Sequence, residues 1–271
     1  MSGQSMTSPF RYRSVFISDV HLGFRGCRAD FLLEFLHSID TENLYLVGDI
    51  LDLWSLKKSF FWPQAHSNVI RTILGKAKRG TRVIYVPGNH DCALREYDGM
   101  VFGNVEIHRE IVHETADGRR FLVLHGDEFD AVMKASPLIV SLGDSAYSLV
   151  LFLNRALNFC RRGLGFPYWS LASYLKQKVK TATTYIANFE RALAAEAKRR
   201  GLDGTICGHI HRAQVSSMDG VLYCNDGDWV ESCTTLTENF NGRLSLLHWA
   251  DRQQLVSQPG AAAAQPIDQA A

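Results

Sequence analysis

Short unbroken apolar runs alternate along this chain with longer segments whose apolar positions recur every three or four residues. Residues 14–18, 43–47 and 82–86 are β-branched and aromatic runs of a length that suits buried strands. Between the first two, residues 29–38 place Phe31, Leu32, Phe35 and Leu36 at helical spacing around Asp30 and Glu34. Residues 64–79 are also helical in pattern and end in a basic turn with Gly80 beyond it, a helix stop. Strand, helix, strand, helix, strand predicts a parallel sheet with crossover helices. From Val105 the character changes. Short runs flank Asp117-Gly118, Asp219-Gly220 and Asn241-Gly242, each a hairpin signal, and residues 204–207 form one more apolar run. The second half is expected to be mostly antiparallel β, interrupted once by helix. The whole reads as an α/β (α+β) fold of two facing mixed sheets with helices outside.

The interruption, residues 131–200, holds apolar stretches at 138–140, 149–153 and 166–171 with helical spacing, and a break is expected at 163–167. It carries eleven Lys and Arg against three Asp and Glu, a net charge of +8 in a chain whose total is +1. The remainder is therefore acidic, consistent with a cation-binding body. Two readings of the insert stand side by side: a helical subdomain with a solvated charged face, or a cap that receives an anionic, partly greasy substrate. In the second, Lys176, Lys178, Lys180, Arg161 and Arg162 are the candidate substrate contacts. The folded domain is expected over 10–250 and includes this insert. Residues 251–271, rich in Gln, Ala and Pro, have too little apolar variety to pack and are expected to be disordered.

Composition narrows the class only modestly. With 271 residues, 46% hydrophobic and 21% charged, the chain can bury a full core as a globular protein does. A net charge of +1 argues against a dedicated nucleic-acid partner, and nothing points to a protein partner. The six cysteines are scattered without a C-x-x-C pair and read as reduced thiols, and residues 1–9 lack the apolar core of a secretory signal. Both favour the cytoplasm. No stretch reaches the ~18 uninterrupted apolar residues of a membrane span. The apolar face between Leu138 and Phe159 suggests, at most, docking on the inner membrane surface.

The candidate chemistry lies where the apolar runs end. Asp19 and His21 follow the first, Asp49 the second, Asn89 and His90 the third, His125 a fourth, and His209 and His211 a fifth. A single Asp or His at a strand end is more often a cap or turn residue, but five such ends in succession match the place where open α/β sheets build their sites. Carboxylate oxygen with imidazole nitrogen suits borderline divalent ions such as Mn²⁺, Fe²⁺ or Zn²⁺. Two such ions ~3.5–4 Å apart clamp an in-line attack on phosphorus and lower the pKa of a bound water. Asp49 is the natural bridging carboxylate. His90 is placed to contact the phosphoryl oxygen and protonate the leaving group, with Asp52 holding its other ring nitrogen. His37, His66, His108, His113 and His248 are assigned structural roles.

Asp19-x-His21, Gly48-Asp49-x-x-Asp52, Gly88-Asn89-His90-Asp91, His125-Gly126 and Gly208-His209-x-His211 resemble, in order, the motif set of the calcineurin-like metallophosphoesterases. The resemblance implies a four-layer αββα sandwich. It implies one metal on Asp19, His21, Asp49 and His211, a second on Asp49, Asn89, His125 and His209, and attack by a metal-bridging hydroxide. Residues 44–54, the helical insert after His125 and Gly227-Asp228-Trp229 are similar to the UDP-2,3-diacylglucosamine hydrolases of lipid A synthesis. That likeness implies cleavage of an acylated sugar nucleotide to UMP and a lipid sugar phosphate, usually with Mn²⁺. His90 departs from it, standing where Arg is expected in the best-studied branch. This departure keeps open a paralogue acting on another phosphodiester or phosphomonoester, an anionic lipid or nucleotide.

Overall fold

The computed structural model describes residues 10–133, 153–166, 169–170 and 180–250. The first half runs β1 (Phe10–Ile17), α1 (Ala29–Ser38), β2 (Ile39–Val47), α2 (Leu53–Lys58), α3 (Gln64–Lys78) and β3 (Arg82–Val86). Two short strands follow, β4 (Val101–Phe102) and β5 (Val105–Ile107), then the hairpin β6 (Ile111–Glu114) and β7 (Arg120–Val123). In the insert, helix α4 covers 153–163 and α5 is Lys180–Arg199. The chain closes with β8 (Gly204–Cys207), β9 (Gln214–Met218), β10 (Val221–Asn225), β11 (Thr234–Glu238) and β12 (Leu244–His248).

Seven strands form one sheet in the order β12-β11-β1-β2-β3-β5-β4, and five form the other in the order β6-β7-β8-β10-β9. The parallel core β1-β2-β3 of the first sheet is the one its alternating pattern predicts, and β5 extends it in parallel beyond β3. All three glycine turns make antiparallel hairpins. The second half is mostly antiparallel, as expected, except that β8 pairs in parallel with both β7 and β10. A second departure is that β11 and β12 join the first sheet through β1.

Alternation along the strands builds four layers. Val15, Ile17, Leu44, Leu46, Val83 and Tyr85 face α1 and α3. The residues between them, Phe16, Tyr45, Val47, Ile84 and Val86, meet Phe121, Val123, Ile206 and Cys224 between the sheets. On the far side Leu122, Leu124, Cys207 and Tyr223 pack on Phe189, Leu193 and Ala197 of α5. Because both faces of these strands are buried, they read as continuous apolar runs rather than as polar–apolar alternation. Phe16 stacks on Tyr45 at 4.6 Å in the middle layer, and truncating it to Ala should cost about 3–5 kcal/mol. No described helix is long and apolar enough to cross a membrane.

The layers put five strand ends on one edge. β1, β2 and β3 run parallel in one sheet and β7 and β8 run parallel in the other, so their carboxyl ends deliver Asp19, Asp49, Asn89, His125 and His209 side by side. Lys176, Lys178 and the tail 251–271 lie outside the described residues.

Candidate metal centre

Beyond the strands the loops remain paired: the Asp19 amide donates to the Gly48 carbonyl (3.0 Å) and the His21 amide to the Asp49 carbonyl (2.8 Å). Eight described non-glycine residues have positive φ, and five are Asp19, His21, Asp49, His209 and His211. Such backbone is costly for a residue with a Cβ and persists where its surroundings over-determine it, as at functional sites. Two glycines make the close approach possible. A Cβ at Gly88 would lie 2.3 Å from Asp49 Oδ1, and one at Gly208 would lie 2.4 Å from Asp19 Oδ2. Either methyl would drive the loops apart.

The side chains converge on two carboxylates. Asp49 Oδ2 lies 3.4 Å from His125 Nε2 and 3.9 Å from both His21 Nε2 and His90 Nε2. Asp19 Oδ1 lies 3.1 Å from His211 Nε2 and 3.9 Å from His21 Nε2. Three sets, Asp19/His21/His211, His21/Asp49/His90 and Asp19/Asp49/His125, each offer ligand atoms within 4.8 Å of one another. They share members, as sites for adjacent ions would. Asp19 Oδ1, His21 Nε2, Asn89 Oδ1 and His125 Nε2 are buried without a hydrogen-bond partner. An unmet buried polar atom costs about 1–3 kcal/mol, so four in one place fit a bound cation, which would satisfy them together. Mixed carboxylate, amide oxygen and imidazole donors suit a borderline divalent ion.

Electrostatics bind the cluster as acid–base pairs. Burial disfavours ionised Asp19, yet His211 and His125 outweigh it and hold the carboxyl below its ordinary range. Asp49 is likewise held low against burial, by His125, His21 and His90. The imidazoles respond in kind. Against its own burial His125 is pushed up to about 10, chiefly by Asp49, and His21 to about 8, by Asp52 and Asp49. Without a metal, protons therefore do the neutralising that an ion would do.

Asp52 does more than the sequence suggested. Its Oδ1 takes the Ser55 amide (2.7 Å), capping α2, and meets His90 Nδ1 at 2.9 Å, while its Oδ2 lies 3.4 Å from His21 Nδ1. One carboxylate orients two imidazoles, leaving both Nε2 atoms facing Asp49. The His90 ring also lies 4.2 Å from Trp54. His209 is in none of the three sets. Its Nε2 meets Asp130 Oδ2 at 2.8 Å, which leaves Nδ1 as its free donor atom. Its ring stands 5.1 Å from that of His125.

Three acids were missed from sequence. Asp130, held by the Tyr185 hydroxyl of α5, orients His209. Asp91 takes the amides of Ile50, Leu51 and Gly88 and the Tyr85 hydroxyl, and so joins the second and third loops. Asp226 Oδ1 and Asp19 Oδ2 each lie 2.6 Å from Ser18 Oγ, whose single proton serves one of the two carboxyls at a time. Asp91 lies within the run Gly88-Asn89-His90-Asp91, but neither Asp130 nor Asp226 carries a local signal. Arg161 and Arg162 stand on α4, away from these sets: Arg161 lies over Phe166 and Trp169, Arg162 over Phe31. Lys180 begins α5.

Comparison with known proteins bears on this centre. UDP-2,3-diacylglucosamine hydrolase of Blochmanniella pennsylvanica is 24% identical over 212 residues, 74% of this chain and 80% of that protein. The enzyme of the same name from Aliivibrio fischeri is 24% identical over 254 residues, 86% of this chain and 97% of that one. Among solved structures, an archaeal phosphodiesterase superposes with a TM-score of 0.42 at 15% identity, covering 86% of this chain and 98% of its own. The phosphopantetheinyl hydrolase of Mycobacterium tuberculosis gives a TM-score of 0.41 at 16% identity, covering 82% and 91%. A family model matches residues 12–213, a span that takes in all five strand ends and every member of the three ligand sets, and the chain belongs to that family, the calcineurin-like phosphoesterases.

Proposed function

We propose that this metal-dependent phosphoesterase hydrolyses the pyrophosphate of UDP-2,3-diacylglucosamine, or of a related acylated sugar nucleotide, to UMP and a lipid sugar 1-phosphate. The observation that carries the chemistry is the position of Asp49 Oδ2, the one carboxylate oxygen within 3.9 Å of His125, His21 and His90. In this reading Asp49 would serve two divalent ions, one held with Asp19, His21 and His211, the other with Asn89, His125 and His209. Two such ions supply a water of lowered pKa and neutralise charge developing on phosphorus. His90, fixed by Asp52 and Trp54, keeps Nε2 toward the centre, where it contacts a phosphoryl oxygen and gives the leaving group its proton. The substrate assignment is supported by the two hydrolases at 24% identity and by the basic, apolar insert. Mn²⁺ is the proposed ion.

The alternative is a paralogue acting on another anionic lipid or nucleotide. It draws on His90, a single imidazole on Asp52 where the likeness leads one to expect Arg.

The test is Mn²⁺-supported hydrolysis of UDP-2,3-diacylglucosamine in detergent, with Asp49→Ala as the blank. UMP and lipid sugar phosphate, absent in the variant, are the expected products. No turnover, with variant-sensitive cleavage of bis-p-nitrophenyl phosphate, would keep the centre and discard the substrate.

A further inference from the structure

Away from the metal ligands, a cavity of ≈ 440 Å³ opens between the loop after His21 and helix α4 of the insert. Arg25 and Arg28 enter it from the core, and Arg155 and Arg162 from the insert, with Asp30 the one acid in its wall. The guanidinium groups are set by aromatic rings. Arg28 Cζ lies 4.1 Å and Arg162 Cζ 5.7 Å from the centre of the Phe31 ring, and Arg25 Cζ lies 4.5 Å from that of Phe61. Arg155 donates to the Gly26 carbonyl and so ties insert to core. Among the described residues, Arg25, Arg28 and Arg162 make no ion pair with a carboxylate. Stacking on a ring fixes a guanidinium plane while leaving its in-plane N–H groups available. Several cations held this way repel one another, and an anion with several acceptor oxygens relieves that repulsion. Planar forks approaching from two sides match a phosphoryl group better than a single carboxylate.

Phe31, Phe159 and Val230 give the wall an apolar part, and Cys27, Asn154 and Asn158 complete it. The cavity also stands close to the chemistry. The Arg28 amide donates to the Trp229 carbonyl (2.9 Å), and the Trp229 amide to the carbonyl of Asp19 (3.1 Å). One residue of backbone separates the cavity floor from the metal-side loop.

We propose that this cavity is a second phosphoryl-binding site, built jointly by core and insert, which takes a phosphate monoester or diester carried on an apolar body. The group is either the sugar-side phosphoryl of the pyrophosphate cleaved at the metal centre, with the acylated sugar as its apolar body, or that of a separate amphiphilic phosphate. In the first case alone the inference rests on the phosphoesterase reading.

The probe is dodecyl phosphate below its micelle concentration, titrated calorimetrically into the full chain carrying Asp49→Asn, which weakens the metal centre and leaves the cavity intact. One equivalent should bind, and neither dodecanol nor inorganic phosphate alone should match it. Arg162→Glu, at an exposed position of α4 that the fold tolerates, should weaken binding at least about tenfold, as loss of a charge-assisted contact does. Arg28→Ala should do the same. Unchanged affinity in both variants, or binding that disappears with Asp49→Asn alone, would overturn the proposal. A raised KM for UDP-2,3-diacylglucosamine in Arg28→Ala identifies the substrate's sugar-side phosphoryl as the occupant, and an unchanged KM with lost probe binding identifies a separate molecule. Hydrolysis of bis-p-nitrophenyl phosphate by the unaltered chain tests the phosphoesterase reading independently.

Discussion

The molecule buries two clusters of acid and histidine, and they are built to opposite ends. Between the sheets, Glu238 accepts from Arg13 (2.7 Å), Ser14 Oγ (2.5 Å) and the Ala116 amide (2.8 Å) and pairs with His113 Nε2 at 2.9 Å. His113 Nδ1 in turn meets the Tyr45 hydroxyl at 2.9 Å. None of the buried side-chain polar atoms of that network lacks a partner, and it joins β1, β2, β6 and β11. At the strand ends the same residue types leave Asp19 Oδ1, His21 Nε2, Asn89 Oδ1 and His125 Nε2 unmet. Burial and residue type do not separate a structural cluster from a metal centre; satisfaction does. A fully partnered carboxylate has nothing left to give an ion, whereas an orphaned set keeps its lone pairs directed at one point.

The largest separation of the two should come from Asp49→Ala. Metal-supported phosphoester hydrolysis should fall by about 10²–10³-fold or more, with lower bound metal per folded molecule by elemental analysis. Glu238→Ala should do the reverse. It leaves His113 and Arg13 without their carboxylate and should cost about 3 kcal/mol in urea denaturation, with metal content per folded molecule unchanged. Loss of metal in that variant would deny the distinction.

Acidity should pull the clusters in opposite directions. Against burial, His113, Ser14 and the Ala116 amide hold Glu238 down at about 2 from an ordinary 4.5. Its contribution is present above 4.5 and lost as pH falls toward 2. His21 and His125 sit at about 8 and about 10 from an ordinary 6.5. Their contribution to the metal-free protein is complete below 6.5 and lost as pH rises through 8 to 10. The thermal midpoint in chelator should therefore fall at both ends of the scale. Divalent metal should restore only the alkaline side, because binding needs the imidazoles deprotonated and tightens as pH rises. A flat alkaline limb in chelator would remove the histidine part of this account.

The smallest effects concern how the insert reaches the centre. Asp130→Asn should weaken one metal by about tenfold, in the range for a carboxylate that orients a ligating histidine. Tyr185→Phe removes only the hydroxyl behind that carboxylate and should weaken it less, by about threefold or under. Both are read by metal titration. Equal loss of both metals would mean the helix, not His209, had been disturbed.

Much of this was legible in the chain. Asp19, His21, Asp49, Asn89, His125, His209 and His211 each end an apolar run, and a strand end is a local feature fixed by the run itself. Asp52 lies three residues from Asp49, near enough to be assigned to His90 before any fold was known. Asp130 and Asp226 could not be found this way, because their meaning is a contact with His209, 79 residues away, and with Ser18, 208 away.

The sequence by itself determined which residues stand at the ends of which strands, the three hairpins and the crossover character of the first half. Only the tertiary structure decided strand order: that β8 lies parallel between β7 and β10, that β11 closes on β1, and so that His125 and His209 reach the edge shared with Asp19 and Asp49. The physical reason is that a strand buried on both faces is apolar at nearly every position, and such a run carries its length and its ends but neither its neighbour nor its direction.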